Sequence, residues 1–224
     1  MLKTHSKIVA VFCFWSFTLF AQINVDNVID DYFKAIGGVD LLKQVTTFSS
    51  VSVTNLNGEH IELKTKQKFP NLKLMEIYKN DVLISKKVFN GKKGYKLTKG
   101  VKKKYTEEEI VNEKKLSAVF PEFGFLNTAV YVGEAHVSGK LCHVLSFENK
   151  KMYYDSLSGL KLKAVTVFKK DTKEIIQETY YSDYKKVKGI LFPLTYLIKV
   201  KDMEILYTVE SISLNRDVIL SDFE

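Results

Sequence analysis

The sequence predicts an α+β protein in which a large, curled antiparallel sheet is covered on one face by a few helices. From Thr46 onward, the spacing of apolar residues changes from about 3.6 to 2, which distinguishes strands from helices. Turn signals then recur roughly every 8–12 residues, as in a meandering sheet. The late strands also carry an almost continuous apolar face, which other elements must cover.

Residues 1–22 are predicted to be a secretory signal peptide, and residues 23–224 to form one domain. Lys3 and Lys7 give a basic start, residues 8–20 are an apolar run, and Ala21 is a small residue suited to cleavage. The run is shorter than the roughly 20 residues of a membrane-spanning helix. We therefore expect an exported protein.

The charge and the cysteine content indicate which partners and which source of stability to expect. Without residues 1–22 the chain has 32 basic and 26 acidic side chains, a net charge of +6. Export argues against nucleic acid as a partner, whereas a basic surface suits anionic lipid, lipopolysaccharide or an acidic protein; dispersed lysines also favour solubility. Cys142 is the one cysteine in residues 23–224, so we expect stability to come from a hydrophobic core rather than from disulfides.

Two short helices are predicted before the sheet. The first has Asp26 as its expected N-cap and ends at Gly37-Gly38; the second is capped by Asp40. Each has one apolar stripe, so both must lie on another surface. The stripes consist of Ile29, Tyr32, Phe33 and Ile36 in the first helix and Leu41, Leu42 and Val45 in the second.

About ten strands are predicted to follow, which is near the size at which an open twisted sheet curls. Hairpin turns are expected at Asn57-Gly58, Pro70-Asn71, Asn80-Asp81 and Asn90-Gly91. The predicted strands are residues 61–66, 72–78, 82–89, 95–98, 136–147, 152–154, 160–168, 174–182, 190–200 and 203–213. Residues 185–189 are predicted to turn the chain into the strand that holds Pro193, where an edge or bulge would tolerate the missing N–H.

A third helix and an apolar connection interrupt the strands. Thr106 and Glu109 fit a capping box, which predicts a helix from there to about Leu116. Residues 119–126, VFPEFGFL, are unusually apolar for a loop.

The apolar face of the late strands is the most informative pattern. If the helices and the 106–126 segment cover it incompletely, a hydrophobic cavity suited to acyl chains remains; the alternative is a fully packed core. The candidate lining residues are Tyr32, Phe33 and Ile36 on the helix and Phe192, Leu194, Tyr196, Met203, Ile205 and Tyr207 on the strands. If the opposite strand face points inward, Leu191, Leu197 and Leu206 replace the strand residues.

No local motif indicates catalysis, a cofactor or a metal site. Cys142, His143 and His136 come nearest, but successive strand residues point to opposite sides and the spacing matches no zinc pattern. The acids at Asp30-Asp31 and at residues 107–109 are explained by helix N-termini. We therefore assign no catalytic or metal-binding residues, and a hydrolase with an unrecognised site would be sought first near Cys142.

A lysine-rich hairpin from Lys92 to Lys104 is a candidate contact with an anionic membrane surface. The alternative is a solvated edge hairpin whose lysines discourage strand addition.

The order of these segments resembles the outer-membrane lipoprotein-sorting superfamily, the LolA/LolB-like proteins, and is similar in particular to divergent members from Bacteroidetes-type bacteria. The resemblance is carried by the signal peptide, DNVIDDYFKAIGGVDLLKQV at residues 26–45, YYDSLSGLKLK at 153–163 and YSDYKKVKGILFPLTYLIKV at 181–200. It implies a strongly curved sheet, an incomplete β-barrel, with helices covering the concave face. It also implies a cavity for lipid or lipoprotein acyl chains, and a location in the periplasm of a Gram-negative bacterium, soluble or peripherally associated with the outer membrane.

The sequence departs from the family in one respect. The carriers depend on a buried arginine in an early strand, whereas Arg216, near the C-terminus, is the only arginine here. The leading expectation is a non-enzymatic carrier of lipid or acylated lipoprotein. Two alternatives are an envelope protein-interaction or sensor module on the same fold without a lipid ligand, and the hydrolase.

Overall fold

The structure is a computed structural model that describes residues 24–115, 119–126, 128–170 and 173–224. The predicted signal peptide lies outside these residues. The described chain contains helices α1 (Val25–Ile36), α2 (Val39–Lys43) and α3 (Glu107–Lys115), and 3-10 helices at Pro121–Gly124 and Leu220–Phe223. None of the helices in these ranges combines the length and apolar character required to cross a membrane.

Thirteen strands of the described chain form one antiparallel sheet. They are β1 (Thr47–Leu56), β2 (Glu59–Lys68), β3 (Leu72–Lys79), β4 (Val82–Phe89), β5 (Gly94–Thr98), β6 (Val101–Lys104), β7 (Val130–Val137), β8 (Lys140–Phe147), β9 (Lys150–Asp155), β10 (Lys161–Lys170), β11 (Lys173–Val187), β12 (Ile190–Val200) and β13 (Met203–Leu214).

The prediction of about ten strands was therefore too low. Residues 136–147 belong to two strands, because Ser138 and Gly139 have positive φ and turn the chain. β1 and β6 were not among the predicted strands.

The strand order shows where the sheet is open. It runs β6-β5-β4-β3-β2-β1-β13-β12-β11-β10-β9-β8-β7, so the first strand pairs with the last and all other pairs are neighbours in sequence. β6 and β7, which are consecutive in sequence, form the two opposite edges, and the sheet is not closed. The described residues between these edges, 105–115, 119–126 and 128–129, are here named the crossing segment, and they include α3 and the first 3-10 helix.

The main core lies between one sheet face, here named the inner face, and the elements that cover it. α1 buries all four residues of its predicted stripe, and Val28 as well. Phe120 and Phe125 of the crossing segment join the same core. The strand residues buried there come from β8, β9, β12 and β13, and they include Leu145, Tyr154, Phe192 and Leu214. Because strands this far apart meet around one 12-residue helix, the sheet curves around α1.

A smaller cluster lies on the opposite, outer face. Phe223, from the C-terminal 3-10 helix, is buried against Leu74 and Val88 of β3 and β4. Lys66 Nζ also lies 2.6 Å from Asp222 Oδ1. The C-terminal residues therefore cover the outer face and leave the inner face to α1 and the crossing segment.

The helix caps differ partly from the prediction. α1 is capped by Asn24 rather than Asp26: Asn27 N donates to Asn24 Oδ1 at 3.0 Å, and Asn24 N donates to the Asn27 side chain. α2 follows Gly38 without a side-chain cap, and Asp40 lies in its first turn. The capping box of α3 is present as predicted, with hydrogen bonds from Glu109 N to Thr106 Oγ1 and from Thr106 N to Glu109 Oε2.

The predicted turn at residues 185–189 is shorter than expected. β11 continues to Val187, and Lys188 and Gly189 make the turn with positive φ. Pro193 pairs with Tyr184 of β11, and the register of β12 with β13 starts only at Thr195. Pro193 therefore lies in a part of β12 that precedes its ladder with β13.

Candidate functional site

A cavity of about 410 Å³ lies between α1, the inner face of the sheet and the crossing segment. Ligand pockets commonly have volumes of roughly 300–1,000 Å³, so this cavity is of the size that binds small molecules. Its lining residues are Tyr32, Ile36, Phe48, Ser50, Ser52, Leu63, Thr65, Gln67, Val119, Phe120, Pro121, Glu122, Lys161, Tyr181, Leu191, Phe192, Pro193, Tyr196, Ile198 and Tyr207.

The cavity has an aromatic side and a small polar side. The ring of Phe192 lies 5.6 Å from that of Phe48 and 6.1 Å from that of Phe120, measured between centroids. On β1 and β2, Ser50 pairs with Thr65, and both line the cavity. The cavity is therefore suited to an amphipathic ligand rather than to a purely apolar one.

Five of the nine predicted site residues line this cavity: Tyr32, Ile36, Phe192, Tyr196 and Tyr207. Tyr196 and Tyr207 are cross-strand partners, so the inner face is the one that the prediction preferred. On the opposite face, Leu206 is 53% exposed. Leu191 lines the cavity too, beside Phe192.

The other four predicted residues lie elsewhere. Phe33 is buried in the core, where its ring centroid is 4.5 Å from that of Phe123. Leu194, Met203 and Ile205 are not among the described residues that line the cavity. Met203 opens β13 next to a hairpin turn and is 55% exposed.

The cavity wall contains a buried ion pair that the sequence analysis missed. Lys161 Nζ on β10 donates to Glu122 Oε1 on the crossing segment at 2.6 Å, and their side chains are 15% and 2% exposed. Burial alone would lower the pKa of Lys161, but the Glu122 carboxylate raises the pKa well above its ordinary value. The Glu122 carboxylate therefore favours the charged ammonium form of Lys161 over the neutral, nucleophilic amine.

A β-bulge turns Lys161 inward. Lys161 pairs with Tyr154 and Lys163 pairs with Tyr153, so Leu162 is an extra residue between them. Tyr154 is buried in the core, and Lys163 instead pairs with Glu178 at 2.6 Å on the opposite face. Without the bulge, residues 161 and 163 would share one face, because side chains alternate along a strand.

Tyrosines surround the pair. Lys161 Nζ lies 5.5 Å from the ring centroid of Tyr32 and 5.2 Å from that of Tyr181, and Tyr184 Oη donates to the Lys161 carbonyl at 2.6 Å. Burial raises the pKa of each of these tyrosines, and it raises the pKa of Tyr196 to about 12. All of them are neutral hydroxyls at physiological pH, able to donate hydrogen bonds.

The sequence contains a signal for only one member of this pair. Glu122 is the single acid in the apolar run of residues 119–126, a pattern that indicates a buried carboxylate paired with a positive charge. Lys161 was not visible, because in the alternating sequence Leu160-Lys161-Leu162-Lys163 both lysines read as one solvated face.

Cys142 and His143 do not form a reactive pair with each other. Burial raises the pKa of the Cys142 thiol, which donates to the Lys140 carbonyl at 3.6 Å. His143 Nδ1 instead lies 3.4 Å from both Tyr131 Oη and Glu134 Oε1. Within the described ranges, no three His, Cys, Asp or Glu side chains are placed to hold a metal ion.

Three ion pairs join helix α3 to the sheet. The helix has no buried side chain. Lys96 of β5 contacts Glu109, Lys73 of β3 lies 2.9 Å from Glu113, and Lys115 lies 2.6 Å from Glu148 in the β8–β9 turn. α3 is thus held to strands near one edge and to a turn near the other.

The lysine-rich hairpin, residues 92–104, contains β5 and β6. All four residues of β6 are exposed, and β6 is an edge strand. Lys102 Nζ lies 3.8 Å from the ring centroid of Tyr95, whereas Lys96 is neutralised by Glu109. Lys102, Lys103 and Lys104 thus lie together on an exposed edge strand.

The fold is similar to those of several solved structures. A LolA superfamily protein from Nitrosomonas europaea matches with a TM-score of 0.58 and 9% identity, over 90% of this chain and 98% of that one. An outer membrane lipoprotein-sorting protein domain from Vibrio parahaemolyticus matches with a TM-score of 0.55 and 9% identity, over 90% and 96%. A DUF1329 family protein from Desulfovibrio piger matches with a TM-score of 0.54 and 14% identity, over 89% and 97%.

These likenesses are confined to structure. No family model matches the sequence. No curated protein sequence matches it either. The class that the comparisons define is the LolA-like fold, as the resemblance implied.

Proposed function

We propose that this protein is a non-enzymatic periplasmic binding or carrier protein that holds the acyl chains of a lipid or lipoprotein. The observation that carries the proposal is the cavity under α1, which is lined by the rings of Phe48, Phe120 and Phe192. The fold shared with lipoprotein-sorting structures supports it. Export by way of residues 1–22 and a single domain over residues 23–224 are parts of the same proposal.

Ligand entry requires the cover to move. Val119, Phe120 and Glu122 of the crossing segment line the cavity, and α3 precedes them without any buried side chain. Displacement of the crossing segment opens the inner face, while α1 stays fixed by its apolar stripe. α3 has no buried side chain and separates at low free-energy cost, whereas Phe120 and Phe125 must leave the core before the cavity opens.

The direct test is organic extraction of the purified protein followed by mass spectrometry of the extract. We expect a co-purifying lipid or acylated molecule at close to one per protein. Ser50→Trp places an indole in the cavity and should reduce the loading. Ser49→Trp is the matched control, because Ser49 precedes Ser50 on β1 and points to the outer face.

The outcomes separate the candidate functions. No extracted lipid, together with no binding of added acyl ligands, would contradict the carrier and favour the envelope protein-interaction or sensor module. A hydrolase would show turnover in a broad ester and amide screen, lost in Cys142→Ala or His143→Ala.

We also propose that the Lys92–Lys104 hairpin contacts an anionic membrane surface when the ligand is taken up or delivered. Support comes from the exposure of β6, since each lysine close to such a surface contributes about 1 kcal/mol. Lys103→Gln/Lys104→Gln should weaken sedimentation with phosphatidylglycerol vesicles, and Lys185→Gln/Lys186→Gln, with the same charge change, should not. Equal effects of the two double variants would refute a specific role of the hairpin.

A further inference from the structure

The cavity contains a charge that an acyl chain does not require. Lys161 and Glu122 are buried against aromatic rings, and an ion pair in such a place is often no more stable than apolar residues of the same size. A pocket that only shields methylene groups would be better lined by apolar residues throughout. The pair therefore calls for an explanation in terms of what occupies the cavity.

The two charges belong to parts of the molecule that separate when the cavity opens. Lys161 is fixed in β10 and is turned inward by the bulge at Leu162. Glu122 lies in the 3-10 helix of the crossing segment, between residues that cover the cavity. Displacement of that segment removes the carboxylate and leaves the Lys161 ammonium ion unpaired in the wall, which is strongly unfavourable.

A nearby hydroxyl is also without a partner. Tyr154 is 1% exposed, and among the described residues its Oη has no hydrogen-bond partner. Tyr154 is the cross-strand partner of Lys161 but is not among the described residues that line the cavity. Its hydroxyl therefore adds a second unsatisfied donor behind the wall next to Lys161.

Resting on the proposed carrier function, we propose that the cavity selects ligands whose apolar chain ends in an acidic head, a carboxylate or a phosphate monoester. The head takes the place of the Glu122 carboxylate on Lys161 as the crossing segment moves away. A neutral head leaves Lys161 unpaired and so gains less from opening the cavity. Lys161 is thus the residue that determines specificity.

The test compares three 14-carbon ligands that differ only in the head: tetradecanoic acid, tetradecanol and tetradecyl phosphate. Each competes with the neutral fluorophore N-phenyl-1-naphthylamine for delipidated protein at low salt. For the unmodified protein we expect the acid to bind at least about tenfold more tightly than the alcohol, as a charge-assisted hydrogen bond provides. If the phosphate depends on Lys161 and binds more tightly than the acid, the head is a phosphate; the reverse order assigns a carboxylate.

Three variants make the test specific. Lys161→Met should abolish the preference for the acid, whereas Lys163→Met should keep it, because Lys163 is an equally buried, Glu-paired lysine on the other face of β10. Glu122→Gln should strengthen binding of the acid, since it removes the competing carboxylate. Lys161→Met/Glu122→Leu serves as the neutral cavity if Lys161→Met alone fails to fold.

The proposal and the carrier function fail in different ways. Equal affinity of the unmodified protein for acid and alcohol overturns the acidic-head proposal but leaves a carrier. A Glu122→Gln variant that binds the acid more weakly also overturns it. Binding of none of the three ligands and no displacement of the fluorophore contradict the carrier itself.

Discussion

Gly159 shows how one residue fixes the sheet against α1. It lies in the β9–β10 turn with a φ of +71°, and a Cβ on it would lie 2.7 Å from the Asp31 carbonyl oxygen of α1. The side chain of Asp155 holds the turn by accepting hydrogen bonds from Leu157 N and Ser158 Oγ. Both the conformation and the space therefore require glycine.

We predict that Gly159→Ala lowers the free energy of unfolding by about 3 kcal/mol, from backbone strain and overpacking together. Gly139→Ala is the control. Gly139 has a φ of +81°, but a Cβ on it would meet no atom within 4 Å. Its loss of stability, about 1 kcal/mol, therefore measures backbone strain without overpacking. Urea denaturation of both variants measures the difference. Equal losses would show that the contact with α1 is unimportant.

The Lys161–Glu122 pair gives a second prediction at this scale. Glu122→Leu leaves a buried ammonium ion unpaired and should cost about 3–5 kcal/mol of stability. Lys161→Met/Glu122→Leu should recover most of that loss, because the cavity wall is then neutral. Urea titrations of the two single variants and the double variant complete the cycle. A double variant as unstable as Glu122→Leu would mean that packing, not charge, explains the loss.

Among the described helices, α3 is the one without a buried side chain. Three partly exposed ion pairs join it to the sheet, each worth about 0–1 kcal/mol, and at 1 M salt the Debye length is only about 3 Å, so these pairs are screened. We predict that trypsin cuts after Lys114 or Lys115 faster in 1 M than in 0.05 M NaCl, with little change in global stability. Glu113→Gln should reproduce the effect at low salt.

The matched control for this prediction is Glu108→Gln, because Glu108 makes no ion pair with the described residues. A cleavage rate that does not change with salt or with either substitution would mean that contacts other than these ion pairs hold α3.

Acid should also release α3. Its hydrogen bonds with Lys96 and with Thr106 lower the pKa of Glu109 below the ordinary value of 4.5. A carboxyl group whose folded pKa is depressed stabilises the fold above its unfolded pKa and loses that contribution as pH falls through the folded value. We therefore expect cleavage next to α3 to increase below about pH 4.5, measured with an acid-active protease. Glu109→Gln should weaken this pH dependence, because the ion pairs of Glu113 and Glu148 remain.

The sequence predicted some elements well because their signals are local. The stripe of α1 was visible from its spacing, and the capping box of α3 from Thr106 and Glu109. β6 was missed because its four residues are all exposed and its pairing with β5 is made by backbone groups, which leave no apolar pattern. A bulge such as that at Leu162 leaves no pattern either.

At the scale of the whole molecule, β1 and β13 join the two ends of the chain. Phe48 pairs with Leu214 and Val53 with Thr208, so the early and late halves share one sheet. The prediction of a lipid-sized space came from counting more apolar strand surface than helix surface. The Lys161–Glu122 ion pair in the wall of that space could not be predicted from the sequence, because it depends on a register shift and on a contact between residues 39 positions apart.

We predict that residues 23–224 unfold in one cooperative transition, as expected for a single domain that shares one sheet. Far-UV circular dichroism and tyrosine fluorescence should give coincident urea curves; the sole tryptophan, Trp15, is in the predicted signal peptide. Two separated transitions would mean that the halves on either side of the β1–β13 pairing are independent units.

The bulge in β10 has a consequence for how proteins of this shape diverge. Deletion of the single codon for Leu162 would restore strict alternation, because Lys161 would then directly precede Lys163 and still pair with Tyr154 on the inner face. An insertion of one more residue between Lys161 and Lys163 would instead carry Lys161 to the outer face. Comparisons among such proteins should therefore count the residues between the inward lysine and the outward one as well as compare their identities.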